Sequence, residues 1–138
     1  MYPAELVAPM SRDLTTVGFE SLETPQEVIE TLENQSGTAL LVVNSVCGCA
    51  AANARPGVKI ALQNEIHPSK LYTVFAGVDT DATAKAREYL LPYPPSSPAI
   101  ALFKDGRLVH FLERHHIEGR SAMMIAENLK AAFNEYCQ

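Results

Sequence analysis

The chain has 138 residues, 47% hydrophobic and 20% charged, with a formal net charge of -5 and a pI near 5.3. That length suits one domain spanning residues 1–138, and the composition excludes disordered and fibrous classes. The acidic balance argues against nucleic acid as a partner, since a phosphate-backbone binder needs a basic face.

The longest apolar runs, residues 38–43 and 58–62, fall far short of the roughly 20 residues that span a bilayer. Glu5 puts an acid where a signal peptide carries positive charge, and three cysteines are too few for a secreted disulfide framework. The cytoplasm is the expected compartment, with no membrane association.

Leu6, Val7, Met10 and Leu14 recur at helical spacing, which predicts a helix over 4–16. Thr24-Pro25 reads as an N-cap followed by proline at the first helical position. The second helix then runs over 25–34, with Val28, Ile29 and Leu32 inward and a stop near Gly37. Two helices are therefore expected before any strand.

Residues 38–44 form an unbroken β-rich run, the pattern of a central strand covered on both faces. The run leads into Ser45-Val46-Cys47-Gly48-Cys49, and a helix follows over 50–65. Pro56 interrupts that helix with a kink or a short first segment, and His67-Pro68 closes it.

A second strand is expected over 71–78, followed by a helix capped by Asp81 and running through Tyr89 and Leu90. Strand, helix, strand implies a right-handed parallel crossover. The segment 93–98, with three prolines, forms a rigid loop into a strand over 99–104. Asp105-Gly106 is a hairpin signal that joins a strand over 107–113. A last helix covers 121–136 with Met124, Ile125, Leu129 and Phe133 inward.

The cysteine pair carries the chemistry. It sits between a buried strand and a helix N-terminus, where unpaired N–H groups and the helix dipole stabilise a thiolate. Cys47, at the cap, is the expected nucleophile. Cys49 is placed to attack a mixed disulfide on Cys47 and is the expected resolving thiol, with Gly48 giving the backbone freedom for a tight approach. A disulfide across one intervening residue is strained and easily reduced, which suits removal of a small thiol or disulfide reshuffling.

The rival reading is a soft-metal-binding or redox-sensing module built on the same pair. A structural zinc site needs four ligands, and no second cysteine pair or spaced histidine pair supplies the rest, so no metal is expected. His110, His115 and His116 are read without a catalytic role, the adjacent pair pointing different ways. Arg114 or Arg120 could meet a carboxylated thiol substrate, although solvated arginines are commonly surface residues. Cys137 is either a third redox thiol or an exposed terminal residue. Arg55 falls off the helical face of the thiols, whereas Asn53, at i+4 from Cys49, shares it and is a candidate substrate contact.

The order of elements resembles the thioredoxin fold with an N-terminal helical extension: an α/β, three-layer arrangement in which helices flank a central mixed sheet. More closely, residues 44–51 around the Cys-Gly-Cys motif, Ala54-Arg55-Pro56, 73–77, Pro95-Ser96-Ser97-Pro98 and Ile117-Glu118-Gly119-Arg120 resemble the bacilliredoxin family. The resemblance implies a cis Pro98 beside the thiols, with Pro98 and Ser97 contacting the substrate backbone. It implies removal of bacillithiol from S-bacillithiolated proteins, with bacillithiol as thiol co-substrate, no bound cofactor, and recycling by a flavoprotein disulfide reductase. One departure from ordinary thioredoxins stands out: Leu41 occupies the place expected for a buried carboxylate that would serve the resolving thiol.

Overall fold

Strand β2 (Thr38–Asn44) is buried along its whole length, as an apolar run with no polar alternation requires. The computed structural model, which describes residues 2–33 and 35–138, places it at the centre of a five-stranded sheet. β3 (Lys70–Phe75) lies parallel on one side, and the two-residue β1 (Glu20–Ser21) pairs parallel with β3 at that edge. On the other side β4 (Ala99–Lys104) runs antiparallel and pairs in turn with β5 (Arg107–Leu112).

The pleat sends alternate side chains to opposite faces, which gives each face its own core. Leu40 and Val42 pack with Leu14, Val58, Ile125, Leu129 and Phe133, from helices α1 (Ala4–Thr15), α3 (Arg55–Ala61) and α6 (Ala122–Tyr136). Ala39, Leu41 and Val43 pack with Val28, Leu32, Ala82 and Ala86, from α2 (Pro25–Leu32) and α4 (Thr80–Glu88). The result is the three-layer α/β arrangement with a mixed sheet. A four-residue helix, α5 (Arg114–Ile117), joins β5 to α6. Among the described residues no helix is long and apolar enough to cross a membrane.

Several boundaries differ from the sequence reading. β1 falls between α1 and α2, so a strand does precede the second helix; two residues are too short to show alternation. The expected end of α2 at Asn34 lies outside the described residues. Asp79, not Asp81, is the N-cap of α4, and β3 ends three residues early because Gly77 turns the chain at φ 82.

The helix after the cysteines begins as a π-helical turn, Ala50–Ala54, before α3, and α3 stops at Ala61. In that wide turn the Arg55 N–H reaches back five residues to the Ala50 carbonyl. Pro56, next in line, has no N–H to continue an ordinary i to i−4 ladder. On α6 the inward stripe is Ile125, Ala126, Leu129, Ala132 and Phe133; Met124, one position off that stripe, is exposed.

α3 and α6 meet at Gly57, where a Cβ would stand 2.8 Å from Ile125 Cγ2. Only a bare Cα permits this approach. The Ser97–Pro98 peptide is cis, as the fold resemblance implied, and so is Leu91–Pro92, which nothing in the sequence reading anticipated.

Candidate active site

Where β2 ends, its last residue holds the turn that carries the cysteines. Asn44 is buried; its Oδ1 accepts the Ser45 N–H at 2.9 Å, and its amide donates to the Met10 carbonyl in α1 at 3.1 Å. Ser45 Oγ in turn accepts the Cys47 N–H at 3.1 Å. The Cys47 carbonyl accepts the N–H groups of Ala50 and Ala51, which closes the first turn of the following helix. The buried side chains of Asn44 and Ser45 are thus both engaged, as burial demands.

Arg55 braces the turn from below. Its guanidinium, 4% exposed, donates from Nη1 to Asn44 Oδ1 at 2.9 Å and to the Ser45 carbonyl at 3.1 Å. Its Nε pairs with Asp13 of α1 at 3.1 Å, and Lys59 Nζ reaches the other Asp13 oxygen at 2.6 Å. Burial pushes the Asp13 carboxyl up, but the hydrogen bonds and charges of Lys59 and Arg55 outweigh it and hold the pKa below its ordinary value. Six residues after Cys49, Arg55 is expected off the face of the thiols. It does lie off that face, and it acts through the backbone that presents them.

The two thiols are free, with Cys47 Sγ 2.6 Å from Cys49 Sγ. Cys49, not Cys47, is the N-cap of the π turn, so the expected cap position shifts by two residues while the helix start still serves Cys47. The hydrogen bond from the Cys49 thiol pulls the Cys47 pKa below that of an ordinary thiol, against a desolvation penalty. The backbone N–H groups of Cys49 and Ala50 and the positive charge of Arg114 act in the same direction. Cys49 moves the opposite way, raised by burial and then by donating to and facing the Cys47 thiolate. The pair is thereby split into one ready thiolate and one held thiol.

Arg114 is the residue that surface statistics misplace. From the start of α5 its Nη2 reaches Cys47 Sγ at 3.2 Å and its Nη1 the Ser97 carbonyl at 3.3 Å, while Glu118 holds Nε at 3.1 Å. Arg120, by contrast, lines a separate small pocket with His116 and Met124. Lone arginines give no signal in sequence; the Glu118 partner at i+4 is the one local cue that Arg114 is oriented.

An open cleft of about 430 Å³ exposes Cys47, walled by Tyr2, Ser45, Val46, Ala76, Gly77, Arg87, Ser97 and Arg114. Ser97 is therefore beside the thiol, whereas Pro98, next in the chain, is buried and is not among the cleft's lining residues. Asn53 stands away from the cleft walls; its amide donates to the Ile117 carbonyl at 3.4 Å. Tyr2, Ala76 and Arg87 were missed. Arg87 reads in sequence as one of two cations complementing the C-terminus of α4.

The histidines do not line this cleft. His110 pairs with Asn128, and the His116 ring accepts the Glu113 N–H. The His115 and His116 rings, expected to diverge, lie with centroids 4.0 Å apart and planes tilted by 42°, and each contacts Glu113. Glu113, His115 and His116 form the one group of three candidate metal ligands among the described residues, and it contains neither cysteine. Cys137 packs half-buried against the core, near Thr38 at the far end of β2, with its thiol pKa raised chiefly by burial. It is not the exposed terminal residue of the alternative reading, and the length of β2 separates it from Cys47.

The family model described as disulphide isomerase matches residues 2–137. A bacilliredoxin of Cytophaga hutchinsonii is 62% identical over 135 residues, covering 98% of this chain and 99% of its own. One from Halalkalibacterium halodurans is 51% identical over 137 residues, covering 99% and 95%. Among solved structures, Fasciola hepatica thioredoxin superimposes with a TM-score of 0.55 at 18% identity, covering 83% of this chain and 99% of that one. That last likeness concerns the fold alone.

Proposed function

This chain belongs to the bacilliredoxin family and is a thiol-disulfide oxidoreductase of thioredoxin-like fold, and we propose on that premise that it removes bacillithiol, or a similar low-molecular-weight thiol, from mixed disulfides on proteins. One observation carries the reading: Cys47 Sγ opens to a cleft while Cys49 Sγ at 2.6 Å and the Arg114 guanidinium at 3.2 Å both stabilise its anion.

The Cys47 thiolate attacks the small-thiol sulfur of the mixed disulfide. A new sulfur–sulfur bond forms to Cys47, the old one breaks, and the target protein leaves as a thiolate that takes up a proton. Cys47 has then lost its negative charge. The part of the raised Cys49 pKa that came from the Cys47 thiolate goes with it, leaving burial to hold it up while Arg114 favours the Cys49 thiolate. Cys49 attacks Cys47 Sγ, expelling the small thiol and leaving a Cys47–Cys49 disulfide. Leu41 packs with α2 and α4 on the sheet face opposite Cys49, so it does not stand in for a carboxylate serving that thiol, and the loss of the Cys47 charge is what favours the Cys49 thiolate. A second thiol molecule attacking the adduct is the competing exit.

The oxidised pair returns to two thiols by taking two electrons from the thiol pool and a flavoprotein disulfide reductase. A reducing compartment, the cytoplasm, suits such a cycle. The partners in this reading are S-bacillithiolated proteins, with Ser97 and Pro98 alongside the approaching substrate backbone. The disulphide isomerase description of the matching family favours a second use of the same thiolate, attack on a mispaired protein disulfide followed by release through rearrangement.

The test is release of bacillithiol from a model S-bacillithiolated protein, followed by mass spectrometry. Wild type should release it, Cys49→Ala should accumulate an adduct on Cys47, and Cys47→Ala should do neither. Full activity in Cys47→Ala, or an inert wild type carrying stoichiometric metal, would overturn the reading in favour of a metal-binding or sensing module.

A further inference from the structure

Arg87 lines the cleft that exposes Cys47, yet nothing in the exchange chemistry calls for it. Its Nε is buried and, among the described residues, has no hydrogen-bond partner. No carboxylate of the described residues forms an ion pair with it either. Burial accordingly disfavours its charged form. Arg87 as a whole is half-buried and lines the open cleft, so its remaining N–H groups offer an anion there a charge-assisted contact.

The cleft is built for one. Its walls carry two cations, Arg87 and Arg114, and no acidic residue among those described, in a chain whose net charge is -5. Glu118 already takes one edge of Arg114, and the Cys47 thiol another. Among the described residues Arg87 has no such partner. A planar guanidinium fork matches a carboxylate in two-point contact.

We propose that Arg87 is the specificity residue for the small thiol that Cys47 takes up, binding a carboxylate borne by that thiol while its sulfur is joined to Cys47. The inference rests on the thiol-removal reading above and names the chemical class of thiol the cleft selects. Arg87 acts on binding, and the electron pairs move only between sulfurs.

The adduct is formed in the Cys49→Ala protein with symmetrical disulfides: the Cys47 thiolate attacks one sulfur, forms the mixed disulfide, and releases the second half as its thiolate. Four probes are compared, the disulfides of 3-mercaptopropionic and 6-mercaptohexanoic acids against those of 2-mercaptoethanol and 6-mercaptohexanol. The Arg87 Nε–H resonance in proton–nitrogen spectra should shift with at least one acid and with neither alcohol. In steady-state release from a modified protein, Arg87→Met should lower the acid-over-alcohol ratio of kcat/KM about tenfold, the scale of one charge-assisted hydrogen bond. Arg87→Lys should restore part of it. Adducts that form with all four probes while the Arg87 resonance stays in place overturn this inference alone. Failure to form any adduct overturns the proposed function and this inference together. Should Arg87→Met not fold, the resonance of the native residue decides.

Discussion

Arg55 Nη1 lies 2.9 Å from Asn44 Oδ1, so the first turn of α3 is hydrogen-bonded to the last residue of the central strand across the cysteine turn that separates them in sequence. Removing the guanidinium takes a partner from Asn44, the Ser45 carbonyl and Asp13 at once. Arg55→Met should cost roughly 3 kcal/mol in urea denaturation. The exchange rate at Cys47 should fall with it, because the turn loses its brace. A variant as stable as wild type would remove Arg55 from this role.

Asp13 gives the same network a pH signature. Its folded pKa lies below the ordinary carboxylate value, so its contribution is fully present above the unfolded value near 4 and is lost as pH falls through the folded one. The stability gap between wild type and Asp13→Asn should be constant at neutral pH and close progressively below about pH 4. Chemical denaturation at a series of pH values measures it, and a gap that persists at the acid end contradicts the pairing.

Cys47 should alkylate with an inflection below the ordinary thiol value of about 8.5. Cys49→Ala removes the main stabilising hydrogen bond, and Arg114→Met removes a nearby positive charge. Both should move the inflection up and slow iodoacetamide labelling at pH 7, Arg114→Met by roughly threefold. Cys137→Ser should leave the profile unchanged.

Tyr89 O–H donates to Glu33 Oε2 at 2.5 Å, and this bond pushes the phenol pKa up to about 12. A raised pKa stabilises the fold below the unfolded value near 10, and that contribution is lost as pH climbs through about 12. Ultraviolet titration should show Tyr89 ionising late, with Tyr72 also raised, chiefly by burial, and Glu33→Gln should bring Tyr89 alone back toward the ordinary value.

Gly57→Ala drives a methyl group to within 2.8 Å of Ile125 Cγ2. Overpacking of this kind costs about 1–3 kcal/mol. Ile125→Ala in the same chain should recover part of the loss, and the double-mutant cycle should show coupling. Strict additivity would mean that the helices separate instead.

What sequence could reveal here was set by periodicity and spacing. The run 38–44 and the turn at Asp105-Gly106 each have local signatures, and β2, β4 and the hairpin lie where those signatures put them. Cys47 and Cys49 announced themselves by adjacency. Arg114 and Arg87 could not, because a side chain 67 residues from Cys47 reaches it only through the β4–β5 hairpin and α5. Met124 shows the same limit on a smaller scale: one step around a helix separates core from solvent, and apolar character alone does not say which.

The order of the strands also decides when the thiols come to life. β2 is flanked by β3 and β4, both made later, and the guanidinium that touches Cys47 arrives 67 residues after it. At a ribosomal rate of about 5–20 residues per second, the cysteines wait roughly 3–13 seconds between their own synthesis and that of Arg114. Through that interval Cys47 lacks the Arg114 cation and the strands that flank β2, so part of what lowers its pKa is missing. The cation that completes the thiolate's surroundings and the cleft that restricts what it can meet are thus built from the same late segments, Ser97 and Arg114.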